Sequence, residues 1–236
     1  MAFFFSPKIV TDGLVFTVDA ANKKSYPGSG TTWTDLAGSN NGTLTNGPTF
    51  DSGNGGSIVF DGTNDLVDFG NILNLGTNDL TINQWLQIDS ISGTYGMSWS
   101  KSYANSGNYR LSVGFNSNRT PLIFMRGTSV LVFESSTTVL PQNTWANVTW
   151  VFDRSGNANI YLNGTNLELN ADISSMENLN FQSNHPFRVG SYTASNNTGV
   201  WLPFSGKIST TMVYFKALTA TEITQNYNAL KGRFGL

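Results

Sequence analysis

Ala146-Asn-Val-Thr-Trp-Val-Phe-Asp153 is the stretch on which the fold turns. Side chains alternate across a β-strand, so Ala146, Val148, Trp150 and Phe152 share one face and Asn147, Thr149 and Asp153 the other. Arg154-Ser-Gly-Asn157 supplies turn residues, after which Ala158, Ile160 and Leu162 resume the apolar row. Asn163-Gly164 is a strong hairpin signal, because both residues tolerate a positive φ. It leads into Thr165-Asn-Leu-Glu-Leu169. The expectation is an antiparallel meander.

Outward from this segment, short alternating runs recur between Gly, Asn, Ser and Asp. Strands are expected at Leu14–Asp19, Ser57–Asp61, Leu66–Phe69, Leu80–Ile88, Tyr95–Lys101, Tyr109–Phe115, Leu122–Arg126, Val130–Glu134, Phe187–Gly190 and Lys207–Phe215. None of the connections has helical periodicity, which argues against parallel βαβ units. One helix is expected over 219–231. Thr219-Ala-Thr-Glu222 is a capping box, Ile223, Tyr227 and Leu230 share a face, and Gly232 is the expected terminator. The fold class is therefore all-β, two antiparallel sheets packed as a sandwich with one short C-terminal helix. No linker or repeat divides residues 1–236, so one domain is expected, with 1–12 as an arm for docking.

Composition narrows the chemistry. The 236 residues include no Cys, which removes disulfides, thiol catalysis and Cys-ligated metals. Charged residues make up 12% and the formal net charge is −2; Asn, Ser, Thr and Gly carry the surface instead. Nucleic-acid binding needs clustered Lys and Arg to neutralise phosphates. Here the basic residues are scattered, the densest group being Lys207, Lys216, Lys231 and Arg233, so no nucleic-acid partner is expected. No run approaches the ~18 apolar residues of a membrane span, and no membrane partner is expected. Met1-Ala-Phe-Phe-Phe-Ser-Pro7 lacks the basic start and long apolar run of a signal peptide. The expectation is a product made in a cytoplasm without classical secretion.

Several segments resemble a known family. Gly13-Leu-Val-Phe-Thr-Val-Asp-Ala20, Tyr26–Gly38, Asn41-Gly-Thr-Leu44 and Ser57-Ile-Val-Phe-Asp-Gly-Thr-Asn-Asp65 resemble the N-terminal half of laminin G-like, concanavalin A-like jelly rolls. Trp145-Ala-Asn-Val-Thr-Trp150, Ile160-Tyr-Leu-Asn-Gly164, Arg188-Val-Gly190 and Phe204-Ser-Gly-Lys-Ile208 resemble its later strands. The closing segment Val213–Gly235 is similar to the terminal strand and helix of virion proteins of tailed phages, marine and cyanobacterial ones above all. The resemblance implies a jelly-roll sandwich over the whole chain. It is a poor guide to ligand, because the fold hosts lectins, enzymes, adhesion modules and structural parts.

Glycoside hydrolysis needs two carboxylates about 5–10 Å apart, and Glu134, Glu168, Glu177 and Glu222 each lack an acidic neighbour two positions away. His185, the single His, precedes Pro186 and reads as a loop residue with no Ser in a strained elbow to serve. No catalytic residue is assigned. Asp61, Asp65 and Asp68 form the densest acidic group, and two readings stay open: a structural calcium site, or a turn whose Asp side chains bond their own backbone. No metal ligands are assigned and no cofactor is called. For saccharide binding, rings stack on sugar faces, and Tyr192 and Trp201 in the loop 191–203, with Tyr103 in 102–107, are the candidates. The competing reading folds these rings back to seal the core. Phe3, Phe4 and Phe5 are either an edge strand or an anchor docked in a partner, and in both cases covered.

The leading expectation is a non-enzymatic virion structural protein of a tailed phage. It would be an accessory or decoration subunit on capsid, neck or tail, with other virion proteins as partners, many copies per particle and host surface glycans as a further contact. The alternative is a lectin-like carbohydrate-binding module without a virion role; a polysaccharide hydrolase ranks third.

Overall fold

A computed structural model of the chain describes residues 7–101, 110–126, 130–134, 138–181, 185–193 and 199–236. Its strands are β1 (Leu14–Asp19), β2 (Thr32–Trp33), β3 (Gly42–Thr45), β4 (Thr49–Asp51), β5 (Ser57–Asp61), β6 (Leu66–Asp68), β7 (Leu80–Ile88), β8 (Tyr95–Lys101), β9 (Arg110–Asn116) and β10 (Pro121–Arg126). They continue as β11 (Val130–Glu134), β12 (Trp145–Phe152), β13 (Asn157–Leu162), β14 (Thr165–Asn166), β15 (Ala171–Asp172), β16 (Phe187–Val189), β17 (Tyr192–Thr193), β18 (Val200–Trp201) and β19 (Ser205–Tyr214), followed by helix α1 (Ala220–Leu230).

Two antiparallel sheets face each other. The first runs β14-β13-β12-β7-β19-β5-β4, with β1 also on β19 and β15 on β13; the second runs β11-β10-β9-β8-β16-β6-β3-β2. Alternation explains the packing. Val148, Trp150 and Phe152 of β12 and Ile82, Leu86 and Ile88 of β7 point inward, to meet Trp99, Leu111, Val113, Phe115 and Phe187 of the opposite sheet. The expected hairpin forms with Asn163 at φ 51° and Gly164 at φ 82°, the paired positive values a tight twisted turn requires. Its return strand is shorter than expected. The ladder ends one bond past Asn166, at Leu167 N–H to Ile160 O (2.8 Å), because Glu168 (φ 56°) and Asn170 (φ 46°) adopt left-handed backbone and break it.

The outer face of the first sheet is covered. Trp85 points outward from β7 and stacks on Tyr227 (centroids 5.7 Å) and on Phe234 (4.2 Å, 11° between planes). Thr219 and Glu222 close the capping box of α1 as expected. The terminator differs: the chain winds on through a 3-10 turn, Lys231–Phe234, and the left-handed residue is Gly235 (φ 75°), not Gly232. The reason is Phe234, whose burial between Trp85 and Trp145 holds the extra turn in place. Lys8–Val10 also lie against the helix. Val10 N–H donates to Asn226 Oδ1 (2.8 Å) and Gln225 Nε2 to Lys8 O (2.8 Å). Phe3, Phe4 and Phe5 lie outside the described residues.

Candidate functional site

With one outer face sealed, the other carries the site. Gly190 (φ 88°) turns the chain out of β16, and a Cβ there would sit 2.3 Å from the Phe60 ring, so only glycine fits. The segment then folds as a hairpin, β17–β18, pairing Tyr192 with Trp201 across the outer face of β8, β9 and β10. Phe204 N–H closes its base on Gly190 O (2.9 Å). Ser100 Oγ donates to Ser191 O (2.8 Å), and Met97 N–H to the carbonyl of Leu202 (2.9 Å), a left-handed leucine at φ 50°. These bonds fix the hairpin on β8.

Between hairpin and sheet lies a cavity of about 470 Å³. Ser92–Tyr95 wall one side, Arg110 and Phe124 form part of the floor, and Tyr192, Trp201, Leu202 and Pro203 wall the other side. Tyr192 and Trp201 meet edge to face (5.8 Å, 76°), and Tyr192 meets Phe124 in the same way (6.3 Å, 76°). The two readings of these rings divide. Trp201 projects, 51% exposed, whereas Tyr192 is 1% exposed and packs with Met97 and Leu122. Its hydroxyl nonetheless has no hydrogen-bond partner among the described residues. A buried hydroxyl left so forfeits about 1–3 kcal/mol, which a ligand atom could recover. Tyr103 lies outside the described residues.

The sequence reading missed Arg110 and Phe124. A signal for them exists: residues 90–133 contain no Asp or Glu but include Lys101, Arg110, Arg119 and Arg126, and residues 178–221 contain no Asp or Glu either. Every lining residue of the cavity comes from these two runs. The denser basic group near the C-terminus is largely neutralised. Lys207 pairs with Asp51, Lys216 with Asp12 and Glu222, and Arg233 with Asp19.

The remaining candidates resolve into local structure. Asp61 N–H donates to Asp65 Oδ2 (3.0 Å) and Thr63 N–H to Asp61 Oδ1 (2.8 Å), the self-bonded turn of the second reading. Burial raises the Asp65 pKa, and Asp68 pairs with Arg188 (3.1 Å). Among the described residues no group of three or more His, Cys, Asp and Glu is placed to hold a metal ion. His185 sits in a bend, and its carbonyl accepts from Lys101 Nζ (2.8 Å), a buried amine whose pKa desolvation lowers to about 8. Glu222 serves the helix cap and Glu134 accepts from Asn116 Nδ2 (3.1 Å). A larger groove beside Lys8–Asp12, Glu222 and Gln225 has its acids committed to Lys216, which leaves it the weaker candidate. No helix among the described residues is long and apolar enough to cross a membrane.

Comparison with known proteins places these features. The family model described as "Concanavalin A-like lectin/glucanases superfamily" matches residues 61–224, a span that includes the whole cavity lining. Domain 4 of AbnA, a GH43 extracellular arabinanase from Geobacillus stearothermophilus solved in complex with arabinotriose, is similar at TM-score 0.67 and 16% identity, covering 91% of this chain and 98% of that one. The binding domain of Paraclostridial Mosquitocidal Protein 1 is similar at TM-score 0.70 and 15% identity, over 92% of this chain and 52% of that one. Trypanosoma rangeli sialidase in complex with sialic acid is similar at TM-score 0.66 and 13% identity, over 97% of this chain. The chain thus spans about half of the mosquitocidal chain and 36% of the sialidase. At these identities the likeness shows the fold alone. No curated protein sequence matches the chain.

Proposed function

We propose, from the premise that this chain belongs to the concanavalin A-like lectin/glucanases superfamily, that it is a non-catalytic saccharide-binding module whose site is the cavity between the β17–β18 hairpin and β8–β10. The observation that carries the reading is the pairing of an exposed, anchored Trp201 with an apolar cavity holding a few convergent polar groups. Indole faces suit the C–H faces of sugars, and the hairpin's bonds to β8 hold the ring at little entropic cost. The fold neighbours support it by their described roles: one is a domain solved with arabinotriose, another a binding domain.

Binding without cleavage is favoured because both runs that build the cavity lack Asp and Glu, so they cannot supply the two flanking carboxylates that most glycosidases use. As to setting, we read the module as an accessory subunit on a phage particle, where many copies would raise weak contacts to useful avidity. The support is the likeness of Val213–Gly235 to virion proteins and nothing further; mass spectrometry of purified virions that lacked this polypeptide would end it.

A glycan array followed by calorimetry tests the binding reading. Trp201→Ala should weaken the best saccharide about 10–100-fold, as loss of a central aromatic anchor does. Its melting temperature should shift by under about 2 °C, because surface substitutions stay within roughly 0.5 kcal/mol. An array without hits for the intact protein, or unchanged affinity in the variant, would refute the assignment.

A further inference from the structure

The cavity's charge is one-sided. Arg110 opens β9 and Arg126 closes β10, and the strand register sets them directly opposite each other. Both lie on the outer face, two positions from Phe124 in the case of Arg126. Their Cβ atoms are then about 4.5–5.5 Å apart, a distance at which like charges destabilise a sheet. No hydrogen bond or ion pair of the Arg126 side chain occurs among the described residues. Two acids lie on this face among the described residues: Asp68, paired with Arg188, and Glu134, opposite Leu122 and so four residues along β10 from Arg126, roughly 13 Å away. Glu134 is the nearer along the sheet. It is held by Asn116. The sequence adjoining the pair, 102–109 before Arg110 and 127–129 after Arg126, contains no Asp or Glu. Tyr192, on the wall of the same cavity as Arg110, has an enclosed hydroxyl with no acceptor among the described residues.

We propose that the site selects acidic saccharides, with a carboxylate or sulfate of the sugar set against the Arg110–Arg126 pair while its ring lies on Trp201. The inference rests on the saccharide-binding reading and deepens it. An anion set beside the Arg126 guanidinium gains charge-assisted contacts there, and the charge of Arg110, which has a contact of its own, adds to the attraction. The Tyr192 hydroxyl gains an acceptor at the same time. A nucleic acid would need several phosphates neutralised together, and two arginines beside one cavity match a single anionic group.

The test compares matched saccharides by calorimetry on the full chain. Oligogalacturonate is set against its carboxyl-reduced counterpart, and sulfated carrageenan oligosaccharides against the desulfated ones. At least one acidic member should bind about tenfold or more tightly than its neutral match, the factor expected of one hydrogen bond to a charged group. Arg126→Gln should remove most of that preference, lowering the affinity for the acidic member far more than for its neutral match. Which pair discriminates separates carboxylate from sulfate. Equal or tighter binding of both neutral members overturns the inference alone, as does discrimination that survives Arg126→Gln. Absence of binding to every saccharide overturns the broader reading and this one with it.

Discussion

Tyr192 and Trp201 are cross-strand partners in one short hairpin, yet one ring is enclosed and the other half open to solvent. Their loop was visible in the sequence, but the division between them was not, since it depends on Met97 and Leu122 from distant strands. The enclosed hydroxyl has a measurable consequence. Tyr192→Phe keeps the ring and deletes an unpartnered polar atom, so the melting temperature should hold or rise by about 2–4 °C, the shift that 1 kcal/mol gives a chain of this size. Saccharide affinity should fall in the same variant. A drop in melting temperature, measured by calorimetry, would show that the hydroxyl is already satisfied. Arg110 and Arg126 were legible only as members of an acid-free run, and their juxtaposition required the β9–β10 register.

Strands rich in β-branched and aromatic residues were read correctly from sequence: Leu14–Asp19, Ser57–Asp61, Leu80–Ile88 and Tyr95–Lys101 appear with the expected bounds. Elements whose ends depend on tertiary contacts were not. The extra turn Lys231–Phe234 is held by Trp85 and Trp145, residues far away in sequence, so the local glycine signal at Gly232 misled. The start of the helix, by contrast, is a local device, and it is sensitive to acid. Lys216 Nζ (2.7 Å) and then the Thr219 backbone N–H hold the Glu222 carboxyl below its ordinary 4.5. Because the folded value is the lower one, this stabilisation is complete above pH 4.5 and is lost as pH falls through the folded value. Denaturant titrations should therefore show the gap between the native protein and Glu222→Gln closing on acidification below 4.5. A gap that stays constant down to about pH 2 would contradict the linkage. Thr219→Ala should cost about 1 kcal/mol near neutral pH.

For the molecule as a whole, stability and recognition rest on different forces. The sandwich is held by apolar rows and neutral pairs such as Asn83–Asn147 and Gln84–Thr211, and its described ion pairs lie mostly toward the surface. Such pairs contribute about 0–1 kcal/mol each and are screened by salt. Raising sodium chloride from about 50 to 500 mM should thus barely move the melting temperature while weakening an acidic saccharide several-fold. The face that remains open follows from the same architecture: α1 and Lys8–Val10 close one sheet, and the hairpin half-covers the other. A crystal structure of the chain with oligogalacturonate addresses that arrangement most directly. The account predicts a sugar ring against the Trp201 indole, its carboxylate toward Arg110 and Arg126. Sugar seated elsewhere on the sandwich, with this cavity unfilled, would contradict it.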